Sequence, residues 1–354
     1  MKSTVLFLSV LQPALASSKI HKRALCTVES FDDPLVDDVP AITDALQKCG
    51  DRGSVILPAN QTFHIRSPID LSPCRRCGFQ VNGLFSLSSD WDYWQKQTAV
   101  FLIYNSTNAI IHSDDKTGTI DGNNFGWAGN SSFPDHVPTL FSISHQSHQI
   151  YIRNLHLKNV PGTAFHVSSA SSAVRIDGID FQTPAATGYL VEQAQHVYVW
   201  NSTIRATESC LSILINSSNV QVEESTCITT GTNSAQSGFE LQVGAGTGPG
   251  WIRNVFVKSI KAFGSMNVVS FLAGSGEAEP HPVEINNATF TNIIFEGHAR
   301  KAVKLEEGRN TLTATSVTFR DFEGDVQEAA DLTCSSSANV CDIEAKDWNV
   351  IIRG

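Results

Sequence analysis

The chain of 354 residues carries 35 Asp and Glu against 25 Lys and Arg, a formal charge of -10. A surface of that sign releases no counterions from a phosphate backbone, so the balance argues against a nucleic-acid partner and mildly against a polyanion such as pectate. Past the N-terminal leader no apolar run approaches the roughly 18 residues of a membrane span, so no membrane partner is expected.

Met1, Lys2, the apolar run Val5 to Leu15 and the small residues of Ala14-Leu15-Ala16 read as a signal peptide over 1–16. Lys22-Arg23 reads as a dibasic processing site or a charged flank, making 17–23 a candidate propeptide and 24–354 the mature domain. Pro40 to Lys48 predicts a short amphipathic helix with Ile42 and Leu46 inward and Asp37-Asp38 ahead of it. Eight cysteines fit the oxidising secretory route, and their spacing pairs Cys26 with Cys49, Cys210 with Cys227 and Cys334 with Cys341. Cys74-Arg-Arg-Cys77 has a spacing that also serves redox and zinc sites, but with no second such pair and no βαβ context it reads as a fourth local disulfide. Sequons at Asn60, Asn105, Asn130, Asn201, Asn216 and Asn287 suit a secreted glycoprotein.

From about residue 100, β-rich stretches begin at Ile150, Val174, Val197 and Val220, offsets of 24, 23 and 23, and resume at Ile252, Val283 and Thr315. A fixed period built of strands without intervening helices predicts a parallel β-helix, one solenoid domain capped at its N-terminus by the short helix. Scarce Asn-Gly turns argue against a sandwich or a propeller. No linker of Pro and Ser divides the chain, and no metal cluster, phosphate loop or cofactor motif is present.

Asp90-Trp-Asp-Tyr-Trp-Gln-Lys96, Gly118-Thr-Ile-Asp-Gly-Asn123 and Gly53-Ser-Val-Ile-Leu-Pro58 resemble fungal exo-acting polygalacturonases of glycoside hydrolase family 28. That resemblance implies a right-handed β-helix with an open cleft in which aspartates hydrolyse galacturonan with inversion. The family's Asn-Thr-Asp-Gly falls at Ala185 to Gly188, so Thr187 stands where a carboxylate is expected. Its Asp-Asp-Cys falls at Glu208-Ser209-Cys210, its Gly-His-Gly near Gln236-Ser237-Gly238, and its Arg-Ile-Lys at Val269-Ser270-Phe271. On this placement the acid/base set and the substrate anchor are lost together, and Glu208 with Glu240 forms a candidate replacement pair.

The cleft expected from this placement holds Thr187, Glu208, Ser209 and Ser237 beside Glu240, Val269, Phe271 and Tyr189, with Trp200 and Phe239 nearby. An apolar site with a few hydroxyl donors suits a small hydrophobic ligand. The favoured expectation is a cofactor-independent, non-hydrolytic cyclase joining polyketide and terpenoid partners, with a weaker resemblance to fungal hetero-Diels-Alderases of tropolone-sesquiterpene biosynthesis. Two alternatives stand beside it: a family 28 glycosidase of altered specificity acting through Glu208, and a wall-polysaccharide binder without activity.

Overall fold

The computed structural model describes residues 23–123, 137–230, 236–244, 249–264, 266–274 and 280–353. The expected signal peptide, nearly all of 17–23 and the Asn130 sequon lie outside them. The described strands, 27 in number, pair in parallel as a right-handed β-helix with three columns. One column climbs through 54–57, 78–81, 110–112, 148–153, 172–177, 195–200 and 217–223, and the cleft-bearing column through 99–104, 139–144, 165–167, 185–191, 203–214, 237–242, 267–272 and 301–306.

Alternation drives this stacking. Ile150, Val174, Val197, Val220 and Val255 occupy one register position and point inward, each almost fully buried. No coil can hide that face alone, so each buries it against its neighbours. Corners between the column that begins at 54–57 and the third column, which runs through His156–Lys158 and Asp180–Phe181, are sharp because one residue per coil adopts positive φ: Asn154 at 57°, Gly178 at 62° and Asn201 at 47°. Asn and Gly tolerate that conformation best. Four sequon asparagines, Asn60, Asn105, Asn201 and Asn287, are exposed and Asn216 is half-buried; all five have positive φ.

The N-terminal cap is the helix Val39–Cys49, which buries Val39, Ile42, Leu46 and Cys49 on the first coils. Asp38 is fully buried, and its carboxylate accepts the backbone N–H groups of Phe31 at 2.8 Å and His64 at 2.6 Å and the Ser30 hydroxyl at 3.1 Å. A charge without water is tolerated only when satisfied in this way. All four expected disulfides are formed: Cys26–Cys49, Cys74–Cys77, Cys210–Cys227 and Cys334–Cys341. Trp94, in the motif Asp90–Lys96, is fully buried and donates its indole N–H to Ser88 Oγ at 3.0 Å, so that motif serves packing. Among the described residues no helix is long and apolar enough to cross a membrane.

Inside the cleft-bearing column Phe101, Phe141, Phe165 and Tyr189 stack nearly parallel, their centroids 4.5, 5.1 and 5.1 Å apart. Tyr189, expected in the cleft, is therefore a core residue. The same holds for Val269 and Phe271, both 0% exposed, and for Phe239 above Leu211.

Candidate functional site

In this column the outward position alternates with the core position. Leu190, Ser212, Glu240 and Ser270 are successive rungs of one outward row, spaced about 4.8 Å apart. Thr187, Ser209, Ser237 and Asn267 form a second row three residues earlier on each strand. The ladder is irregular just before the second row, between Ala185 and Thr187; of that row Thr187 and Ser209 line the cleft, while Ser237 and Asn267 are buried beyond it.

Between these rows lies a cleft of about 390 Å³ lined by ten residues: Thr187, Leu190, Thr207, Glu208, Ser209, Ser212, Leu214, Gln236, Glu240 and Gln242. Eight are polar, two of them carboxylates, and none is a cation. Glu208 is exposed, with the Thr187 hydroxyl 3.5 Å from its Oε2. Glu240 is fixed more firmly: its Oε2 accepts from Ser212 Oγ at 2.9 Å and from Gln242 Nε2 at 2.9 Å. Ser209 and Ser212, both buried, are joined hydroxyl to hydroxyl at 2.8 Å. With Ser212 donating to Glu240, Ser209 must donate to Ser212, giving a relay of fixed polarity. Gln236 Nε2 donates to the Thr207 carbonyl and holds the rim.

Glu208, Ser209, Thr187 and Glu240 thus share one cleft. Ser237 lies a rung above Ser209 but is buried and bonded to Ser270 at 2.8 Å, outside the lining. The apolar residues expected here are not. Side chains on a strand alternate with a period of two, so a slip of one residue reverses every direction. Positions 269 and 271 point into the core, where a cation pair has no place; Ser270 and Leu272 are their outward neighbours. Trp200 lies on another column, against Arg175. Leu190 and Leu214 are the apolar lining that remains.

Sequence reasoning missed Thr207, Ser212, Gln236 and Gln242. Ser212 and Gln242 stand one residue beyond the core positions Leu211 and Leu241 and show no motif; only the register reveals them. On either side the outward row turns to charge. His166 lies two rungs before Ser212, with Nε2 3.5 Å from Glu192, and burial pushes its imidazole pKa down while Glu192 opposes this. Lys304, two rungs past Glu240, is paired with Glu306 at 2.8 Å.

The profile of Glycosyl hydrolases family 28 matches residues 49–354. The chain belongs to this family. Its relatives include endo-xylogalacturonan hydrolase A of Aspergillus tubingensis, 25% identical over 361 residues covering 93% of this chain and 87% of that protein. A probable endo-xylogalacturonan hydrolase A of Aspergillus fumigatus is 28% identical over 296 residues, 78% of this chain and 69% of the relative. The crystal structure of the Aspergillus tubingensis enzyme superposes with a TM-score of 0.82 at 22% identity, covering 93% of each chain. An exopolygalacturonase from Thermotoga maritima gives 0.68 at 13% identity, covering 93% of this chain and 87% of that one. These two structures support the family 28 fold.

Proposed function

We propose that this protein is a secreted family 28 glycoside hydrolase of altered specificity, acting on an uncharged stretch of a pectic polysaccharide. The observation that carries this reading is the composition of the cleft: two carboxylates, six further polar side chains and no cation among ten lining residues. A uronate needs a positive partner to replace its lost water, and two glutamates repel it. Sugar hydroxyls, which both donate and accept, match the Thr, Ser and Gln groups. The relatives named for xylogalacturonan hydrolysis add weight to a pectic substrate, and the four disulfides to a secreted protein.

Glu208 and Glu240 take the two roles of an inverting hydrolysis. Glu240, fixed by Ser212 and Gln242, holds the attacking water and receives its proton as oxygen bonds to the anomeric carbon. Glu208, exposed over the cleft, gives its proton to the departing glycosidic oxygen as the C–O bond breaks. The cycloaddition reading required apolar walls, and with Tyr189, Val269 and Phe271 in the core it loses its main support.

Reducing-end release from xylogalacturonan, polygalacturonate and neutral galactan tests the proposal. Release is expected from galactan and not from polygalacturonate or xylogalacturonan, whose backbones are both uronates, falling about 10²- to 10⁴-fold in Glu208→Gln and in Glu240→Gln. No release from any of the three by folded wild-type protein would overturn it. Saturable binding in that case would favour a wall-polysaccharide binder.

A further inference from the structure

The column that begins at 54–57 presents its outward face on a different side of the solenoid from the cleft, and this face carries a row of rings. Tyr151, Arg175, Tyr198, Gln221 and Phe256 occupy one register position on successive coils. A ring therefore recurs at every second rung, about 9.6 Å apart. Between Tyr151 and Tyr198 the gap is filled from within. The Arg175 guanidinium lies 5.3 Å from the Tyr151 centroid, 5.2 Å from Tyr198 and 5.6 Å from Trp200, at cation–π range. Asp177, which accepts the Tyr151 hydroxyl at 2.8 Å, is also 3.8 Å from Arg175.

The next gap, between Tyr198 and Phe256, spans the same two rungs but has no such filling. Gln221 occupies its middle rung with its amide turned to Glu223. The surface sinks there into a depression of about 280 Å³ whose lining includes His196, Tyr198, Asn219, Gln221, Asn254 and Phe256. Asn254 Nδ2 donates to Asn219 Oδ1 at 3.1 Å, so the rim is a fixed set of amides with an exposed imidazole beside it.

We propose that this depression is a second carbohydrate site, a stacking slot that takes one pyranose unit of a polysaccharide between Tyr198 and Phe256. The proposal rests on the reading that the natural ligand is a glycan. Half-buried rings present flat apolar faces to the C–H faces of a sugar, and the amide rim and His196 meet its hydroxyls. A cation is the weaker occupant: Glu223, in the register position of Asp177, is already engaged by Gln221. A site on a separate face holds the protein on a polymer while the cleft works elsewhere along it, raising the local concentration of cleavable bonds.

Affinity electrophoresis of the full glycoprotein through gels containing xylogalacturonan, polygalacturonate or neutral galactan reads this directly. Retardation by at least one polymer is expected, with apparent affinity about tenfold weaker in Tyr198→Ala and in Phe256→Ala and restored in Tyr198→Trp. Unfolding curves confirm that each variant is folded. Retardation unchanged in a folded Tyr198→Ala, Phe256→Ala double variant overturns the site. So does retardation that free arginine abolishes and free galactose and xylose leave intact, which would assign the slot to a cationic partner. Neither arm reads bond cleavage, so failure here and absence of reducing ends are separate results.

Discussion

Replacing Ser212 by Ala removes the middle of the relay from Ser209 to Glu240. Two contacts go at once: the 2.8 Å bond to Ser209 and the 2.9 Å bond to the Glu240 carboxylate. Ser209 is 2% exposed, so its hydroxyl is left without water or partner at about 1–3 kcal/mol. Glu240 is half-buried and keeps Gln242, so its loss is smaller, about 1 kcal/mol. The sum, about 2–4 kcal/mol, is read as a lower urea midpoint with unchanged slope. Freed from one of its two donors, Glu240 no longer holds water in one place, and kcat falls about tenfold to a hundredfold with little change in KM. Ser212→Thr keeps the hydroxyl and restores most of both. A Ser212→Ala protein that unfolds at the wild-type midpoint and cleaves at the wild-type rate would refute the relay and its role in orienting Glu240.

Tyr189→Phe tests the core assignment. Its hydroxyl is sealed from solvent with no well-formed hydrogen bond, Ser202 being its polar neighbour; burial pushes its pKa well above the ordinary tyrosine range, and the ring stack on Phe165 survives the change. Unfolding should occur at or above the wild-type midpoint, and a loss of more than about 1 kcal/mol would show that the hydroxyl has a partner. Burial also pushes the imidazoles of His112 and His166 below their ordinary 6.5. Above pH 6.5 both are neutral folded or unfolded; as pH falls below it the unfolded chain takes up the protons first, so stability is lost from about pH 6.5 downward. Asp115, Glu307 and Glu328 have depressed pKa values, so their stabilisation is lost at lower pH, below the ordinary carboxylate range. Urea midpoints at about pH 7.5 and 5.5 should therefore differ in the wild type and converge in His112→Gln, His166→Gln; an undiminished difference would locate acid sensitivity elsewhere.

Much of the candidate site was visible in the sequence as residue identities and little of it as directions. Glu208 and Ser209 were found because Cys210 and Cys227 anchor them, a disulfide fixing its neighbours' place on the solenoid, and Thr187 because Thr183-Pro184 and the following strand frame it. Val269 and Phe271 were misplaced because nothing similar anchors their strand, and one residue of slip reverses inside and outside. The apolar cleft of the sequence reading followed from that slip.

The sequence by itself determined the solenoid, its capping helix and the four cystine pairs. Apolar residues alternating at offsets of 24, 23 and 23 can be buried only by stacking coil on coil, and each cystine closes a local loop whose spacing shows directly. Tertiary structure alone decided which polar residues share the cleft. Ser209 and Ser212, three residues apart, both line the cleft, and Glu240 stands on the next coil beside Ser212. An alternation of two cannot foresee that pairing of residues, because the phase is set by how one coil packs on another.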